Sequence, residues 1–166
     1  MRKVLTFVIA LLAMSAIAPV MASATRTAIA GTATLSVTSI GDIRITKSGI
    51  MHQVAAQASG PIIGATLSGQ MQIELNANFN MNTGKGSAFG TFVITDSQGT
   101  FEGRFTVRDT GFIYFEGTLE GHGTDAYEGM MLQAQFEGID LYRSGYMGPD
   151  GLTMTYVGSI LSPKGI

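Results

Sequence analysis

Apolar and polar residues alternate along most of the chain after residue 24. The longest run covers residues 71–82, where Met, Ile, Leu, Ala and Phe occupy every second position, with Gln, Glu and Asn between them. A strand places such alternating side chains on opposite faces, whereas a helix would scatter both sets around its circumference. The run therefore predicts a β-strand with one apolar face and one polar face.

The same alternation predicts further strands, joined mostly by short turns that contain Gly, Asp or Ser. We expect them at residues 32–39, 42–47, 50–58, 87–96, 100–108, 112–120, 127–139 and 152–160. No window of twelve residues after Ala24 has a helical period. The predicted fold is therefore all-β and antiparallel.

The short connections decide between two architectures for these strands. They favour an up-and-down meander of eight or nine strands, which removes its free edges by closing into a barrel. The alternative is a β-sandwich, whose Greek-key connections need long crossovers. Only residues 140–151 are long enough for one. We therefore predict an up-and-down barrel.

An aromatic-Glu-Gly triplet recurs at residues 101–103, 115–117, 127–129 and 136–138. In a strand the aromatic ring and the Gly share a face, and the Glu takes the other face. A Gly near a large ring leaves room for a ring from the neighbouring strand, or for the strong coiling of a small barrel. We expect the Glu side chains to face solvent and to pair across strands with Arg and Thr. The alternative is a row of carboxylates that faces a cavity and performs acid–base chemistry.

The first residues of the chain have the features of a secretory signal peptide. Arg2 and Lys3 precede an apolar run at residues 4–14, and Ala-Ser-Ala at residues 22–24 supplies the small residues that signal peptidase needs. The apolar run is too short to cross a bilayer comfortably, although an uncleaved anchor is the alternative. We predict cleavage after residue 24, a mature single β-barrel domain at 25–166 that is secreted or periplasmic, and no stable membrane span after processing.

Composition narrows the function classes. The 166-residue chain is only 13% charged, about half the usual share. Without Arg2 and Lys3 the net charge changes from −2 to −4, because 8 basic residues then face 12 acidic ones. This balance argues against binding to nucleic acid, which requires many Lys and Arg. The absence of Cys excludes a disulfide framework, a thiolate zinc site and a Cys nucleophile.

Two histidines are the candidates for catalysis or metal binding. His122 is predicted to lie in a Gly-flanked turn, where Asp125 and Glu128 could complete a proton relay or part of a metal site. A solvent-exposed turn histidine is the simpler interpretation. His52 shares a strand face with Ile50 and Val54, which predicts a histidine inside the barrel or a general base in a cavity. No third metal ligand is evident, so neither a metal nor another cofactor is predicted.

The inward faces of the predicted strands are rich in rings and methionines, with few polar groups among them. Such a lining suits a small, mainly apolar ligand. The residues predicted to contact that ligand are Phe92, Phe101, Phe105, Phe115, Tyr127, Met154 and Tyr156. A ladder of Asn at residues 76, 78, 80 and 82 could instead hydrogen-bond sugars or a neighbouring chain, or could simply be the polar face of a strand.

One segment resembles a known family. Residues 121–130, Gly-His-Gly-Thr-Asp-Ala-Tyr-Glu-Gly-Met, are similar to the glycine-rich hairpin of the allene oxide cyclase/dirigent barrel superfamily. Residues 99–138, which open with Gly-Thr-Phe-Glu-Gly, resemble its small secreted prokaryotic members. The resemblance implies an eight-stranded antiparallel barrel, often oligomeric, with an axial apolar cavity. The pocket residues of the cyclases, a Glu and a Cys, and the Asp and Arg residues of dirigent proteins have no matched positions in this chain.

Three functions are consistent with these features. The first is a non-catalytic secreted barrel that binds a small apolar molecule. The second is a surface or matrix protein that assembles by strand edges, with residues 25–31 as an extended arm that adds to a neighbour's sheet and makes a homo-oligomer. The third, implied by the resemblance alone, is a cyclase- or isomerase-like enzyme that would use His52 or a Glu in the cavity.

Overall fold

Nine strands make up almost all of the described chain. The computed structural model describes residues 24–109, 114–140 and 152–163, so the predicted signal peptide lies outside the described residues except for Ala24. The strands are β1 (Thr25–Ser39), β2 (Asp42–Ile45), β3 (Ile50–Gly64), β4 (Gly69–Asn80), β5 (Lys85–Thr95), β6 (Gly99–Asp109), β7 (Tyr114–Asp125), β8 (Met131–Asp140) and β9 (Leu152–Ser162). No helix among the described residues is long and apolar enough to cross a membrane.

The strands form one closed antiparallel sheet. Neighbours from β3 to β9 pair in sequence order, and β1 pairs with both β9 and β3, which closes an eight-stranded barrel. The remaining strand, β2, is not one of these eight: among the described residues it pairs only with the N-terminal part of β3. The predicted all-β up-and-down barrel is confirmed, and the β-sandwich alternative is wrong because the strands form one sheet that closes on itself through β1 rather than two packed sheets.

Glycines and rings alternate around the inner surface of the barrel, as the aromatic-Glu-Gly triplets predict. Gly138 lies opposite Phe115, and a Cβ there would be 2.5 Å from Cζ of that ring. Phe136 fills the position beside Gly117 on the same pair of strands. The rings of Phe115 and Phe136 then meet edge to face, with their centroids 6.2 Å apart. A small residue opposite each large ring therefore lets the narrow barrel fill without voids.

Two sequence predictions need correction at strand ends. Residues 25–31 are not a free arm: they continue β1 and pair with β9, from Thr25 opposite Ser162 to Gly31 opposite Tyr156. The alternation there was too weak to detect, because Ile29 is its only large buried side chain. The extended segment predicted at 127–139 begins only at Met131, since residues 126–130 form a turn.

β1 and β2 are two halves of one interrupted strand that runs along β3. The interruption is at Ile40 and Gly41, where Gly41 has φ +62° and a Cβ would clash with the carbonyl oxygen of Val54. Opposite this corner, β3 contains a bulge in which Ala55 has φ 55°. A bulge bends a strand and sharpens its twist. The bulge also changes which side chains of β3 face the interior: odd-numbered residues do so before it and even-numbered residues after it.

Candidate functional site

The seven residues predicted to contact an apolar ligand all point into the barrel, and none is more than 8% exposed. Among the described residues, the space that their side chains enclose inside the barrel is small. The apolar cavity bounded by Met154, Tyr156, Ile94 and their neighbours has a volume of about 10 Å³. That is about the space of one water molecule, whereas ligand pockets usually measure hundreds of cubic ångströms. In this structure the seven side chains are core, and ligand binding by them stays a prediction.

One end of the barrel, which we call the closed end, is sealed by Tyr127. This end carries the turns at residues 65–68, 96–98 and 126–130. The ring of Tyr127 stacks on Phe101, with centroids 4.5 Å apart, and its hydroxyl donates a 2.5 Å hydrogen bond to Oδ2 of Asp96. The other carboxylate oxygen of Asp96 accepts from the backbone N–H groups of Gln98 and Gly99. The β7–β8 turn is thereby fastened to the β5–β6 turn.

These contacts perturb both titratable groups. Burial raises the pKa of Asp96, but the hydrogen bonds from Tyr127, Gln98 and Gly99 outweigh it and hold the pKa below its ordinary value. Burial raises the pKa of Tyr127, and the hydrogen bond and negative charge of Asp96 raise it further, to about 12. The pair therefore stays as carboxylate and neutral phenol over a wide pH range. The sequence offered no signal for it, since Asp96 and Tyr127 lie far apart along the chain.

A second tyrosine, Tyr156 on β9, also contributes to this end. Tyr156 donates a 3.1 Å hydrogen bond to the carbonyl oxygen of Leu67, which is 1% exposed in the β3–β4 turn. Gly31 and Gly64 leave room for this hydroxyl, because a Cβ at either would lie within 2.6 Å of it. Burial raises the pKa of Tyr156. The hydroxyl is thus used in packing rather than directed at a ligand.

His52 lies on the outer face of the barrel, so its predicted interior position is wrong. It does share a face with Ile50 and Val54, but the buried face of this part of β3 carries Met51 and Gln53. The bulge at Ala55 is the physical reason, because it reverses the phase that the downstream residues suggest. Nδ1 of His52 is 2.5 Å from Oδ1 of Asn78 on β4.

His122 is also displaced from its predicted setting. It lies within β7 on the exposed outer face, opposite Glu102 and Met131, rather than in a turn. Glu128 is exposed in the following turn, where its backbone N–H donates to the carbonyl oxygen of Asp125. Among the described residues no three His, Asp or Glu side chains are grouped so as to hold a metal ion.

The Asn ladder serves the fold locally. Oδ1 of Asn76 accepts from the backbone N–H of Ala55 at 3.1 Å and so supports the bulge. Oδ1 of Asn80 accepts from the N–H groups of Asn82 and Thr83 and shapes the β4–β5 turn. Nδ2 of Asn82 donates to the carbonyl oxygen of Ser48. These oxygens are already bonded, which leaves the ladder less available to sugars than its sequence suggested.

The Glu residues of the β6 and β7 triplets face outward, as predicted. Glu102 and Glu116 are exposed, and Arg108 lies directly opposite Glu116 in the β6–β7 register. Arg104 is opposite Glu120 in the same pair of strands. Opposite charges at facing positions stabilise an antiparallel pair modestly. The carboxylates therefore belong to a solvated outer face, where Glu116 also lies directly opposite Glu137 of β8 and both border an open groove of about 540 Å³.

The other end of the barrel, which we call the β2 end, has a different character. Its described residues are the corner at residues 40–41, β2, the turn at 46–49 and the turn at 81–84. Gln53 is 1% exposed here, and its Nε2 donates to the carbonyl oxygen of Ile40. Its Oε1 has no hydrogen-bond partner among the described residues. A buried polar atom without a partner is unusual in a native fold.

β2 itself is exposed along its whole length. Ile43 and Ile45 are 39% and 57% exposed. An open groove of about 740 Å³ lies beside the strand and is lined by Asp42, Ile43, Arg44, Thr46, His52 and Val54. Within the described chain, β2 is the only strand with a single neighbour. The sequence predicted this strand but not its free edge, since an Asp-Ile-Arg-Ile run gives no indication of which strands will flank it.

The geometry of the described residues defines a class: a small closed β-barrel with a closely packed interior and one short strand, β2, that pairs on one side only. Comparisons of the chain with family models, with curated proteins and with solved structures find no match. The resemblance of residues 99–138 to the allene oxide cyclase/dirigent barrels therefore stays a prediction.

Proposed function

We propose that the protein is a non-catalytic interaction protein that assembles through the free edge of β2. The observation that supports this proposal best is the contrast between a closely packed barrel interior and one strand, β2, that has a single neighbour among the described residues. A free edge presents unpaired N–H and C=O groups that an added strand can bond. Assembly by strand edges is thus the function that suits the described surface, with β2 in place of the arm expected at residues 25–31.

The free edge of β2 can be assigned residue by residue. The N–H of Thr46 donates to the carbonyl oxygen of Ile50, which makes these two residues a hydrogen-bonded pair. Bonded and non-bonded pairs alternate along an antiparallel ladder. Arg44 and Asp42 are therefore bonded to β3, opposite His52 and Val54. The N–H and C=O groups of Ile43 and Ile45 consequently point away from the barrel.

Apolar side chains surround this edge. Ile43 and Ile45 lie on the face of β2 opposite the buried Gln53 and Met51, Val54 lies on the other face opposite Asp42, and Ile40 precedes the corner; Ile40 and Val54 are each 50% exposed. Burial of such side chains against a second chain would remove apolar area from water, which is the main driving force of association. The edge thus combines directional backbone bonding with an apolar rim.

The interior offers weaker support for the two other functions. An apolar ligand would have to open space among side chains that now enclose about 10 Å³. An enzyme in the cavity would need an inward-facing acid or base that is free to act on a substrate. Both His52 and His122 face outward, and the hydroxyls of the inward-facing Tyr127 and Tyr156 are hydrogen-bonded to Asp96 and to the carbonyl oxygen of Leu67. Uptake of a hydrophobic fluorescent probe by the purified barrel, at a stoichiometry near one, would favour ligand binding over the proposed function.

Ile43→Pro in the mature chain tests the proposed function. Proline lacks the N–H that Ile43 directs away from β3, so it removes an edge donor without breaking the β2–β3 ladder. The matched control is Ile43→Val, which keeps the backbone donor and most of the apolar surface. We expect the wild type and Ile43→Val to self-associate in sedimentation equilibrium, and Ile43→Pro to sediment as a monomer.

Circular dichroism spectra and unfolding midpoints of the three chains separate assembly from folding. A native spectrum for Ile43→Pro shows that loss of association is an effect of the edge. Association that persists in Ile43→Pro, or a monomeric wild type at high protein concentration, would contradict the proposed function.

A further inference from the structure

We propose that the partner of β2 is the β2 strand of a second copy, paired antiparallel about a two-fold axis at Ile43. This inference rests on the proposed function and specifies its partner. The direction of the backbone bonds and the order of charges in Asp-Ile-Arg-Ile, residues 42–45, select this pairing.

The backbone limits the registers that two β2 strands can adopt. Ile43 and Ile45 direct their N–H and C=O groups outward, and facing residues in a bonded antiparallel pair must both do so. Odd residues must therefore face odd residues across the interface. A register in which odd residues face even residues would set an outward-directed group against one that is already bonded to β3. Such a register leaves the edge unsatisfied.

Charge selects one of the remaining registers. With the axis at Ile43, each Asp42 faces Arg44 of the second copy, so two pairs of opposite charge form symmetrically. Shifting the axis by one residue toward the N-terminus sets Asp42 against Asp42, and shifting it toward the C-terminus sets Arg44 against Arg44. Like charges at directly facing positions destabilise a ladder, whereas opposite charges stabilise it. The sequence of β2 is thus self-complementary in the register centred on Ile43 alone among these three.

The neighbouring positions fit the same register. The two Ile43 residues form the bonded pair at the axis, and Asp42 and Arg44 occupy non-bonded pairs, where Cα atoms lie about 4.5 Å apart and side chains are closest. Ile45 faces Gly41 of the second copy, which has no side chain to obstruct it. Because each barrel has one strand with a single neighbour among the described residues, this isologous contact closes at a dimer.

Charge reversal tests the register. Asp42→Arg and Arg44→Asp each set like charges opposite at both contacts, and we expect each to weaken dimerisation by about tenfold or more. The double variant Asp42→Arg/Arg44→Asp restores two opposite pairs and should dimerise like the wild type. An equimolar mixture of the two single variants should also dimerise, because all-positive strands then face all-negative ones. Sedimentation equilibrium of the four samples measures this pattern.

The outcomes distinguish the register from the proposed function. If Ile43→Pro abolishes association but the charge variants dimerise like the wild type, the β2 edge assembles in another register or on another surface, and this inference is overturned alone. If Ile43→Pro leaves association intact, the proposed function fails as well. Loss in each single variant with recovery in both the double variant and the mixture supports the register centred on Ile43.

Discussion

The two ends of the barrel are built on opposite principles. At the closed end, Tyr127 and Tyr156 reach across the opening, and the hydroxyl of each is bonded to a turn that it helps to fasten. At the β2 end, one strand leaves the barrel at Gly41 and exposes its outer edge. Even the buried amide Gln53 has one atom without a partner there among the described residues. The difference separates stability from interaction: one end holds the fold, and the other presents the strand edge to which we propose that a second chain binds.

The largest effect on stability should follow from removal of the Tyr127 side chain at the closed end. Tyr127→Ala deletes a ring that is 8% exposed and stacked on Phe101, so we expect the free energy of unfolding to fall by about 3–5 kcal/mol. The matched variant at the other end is Ile45→Ala, which removes a side chain that is 57% exposed and should change it by about 0.5 kcal/mol or less. Urea unfolding at a protein concentration where the chain is monomeric measures both. Similar losses in the two variants would abolish the contrast between the ends.

A smaller effect, with a distinctive pH dependence, should follow from removal of the hydroxyl alone. Tyr127→Phe keeps the ring but deletes a hydrogen bond to a carboxylate, and should lower the free energy of unfolding by about 1.5–3 kcal/mol at neutral pH. The pKa of Asp96 lies below its ordinary value, so its contribution is present above about pH 4 and is lost as the pH falls through the folded-state pKa. The pKa of Tyr127 is raised, so its contribution is present below about pH 10 and is lost as the pH rises toward about 12.

These signs predict the pH profiles of three chains. The wild type should lose stability at both extremes. Tyr127→Phe should keep only the alkaline dependence due to Tyr156 and should lose part of the acid dependence, and Asp96→Asn should lose most of the acid dependence. Urea midpoints recorded across the pH range measure the profiles. An acid profile of Asp96→Asn that matches the wild type would show that another carboxylate controls acid stability.

The sequence predicted what repeats and missed what occurs once. Alternation predicted eight or nine strands, and the aromatic-Glu-Gly spacing predicted rings packed beside glycines, because period-two geometry acts locally along each strand. The single bulge at Ala55 has no repeated signal, yet it reverses which residues of β3 face inward and moves His52 to the outer face. The Asp96–Tyr127 contact joins residues 31 positions apart, and no local pattern encodes that distance. The free edge of β2 depends on which strands become neighbours, a property of the closed sheet.

The smallest effect sharpens the comparison at the β2 end. Gln53→Met keeps the buried volume and removes the unpartnered Oε1. It also removes the hydrogen bond to the carbonyl oxygen of Ile40, a residue that is half-exposed. An unsatisfied buried acceptor is destabilising, and its removal offsets the lost hydrogen bond. We therefore expect the free energy of unfolding to fall by less than about 1 kcal/mol or to rise. The control Gln53→Ala leaves a cavity instead and should lower it by about 2 kcal/mol or more. Urea unfolding separates the two outcomes. A loss as large in Gln53→Met as in Gln53→Ala would mean that the amide stabilises the β2 end by its hydrogen bonds. In that case the two ends would share one principle, because both would be held by a polar side chain bonded across the opening.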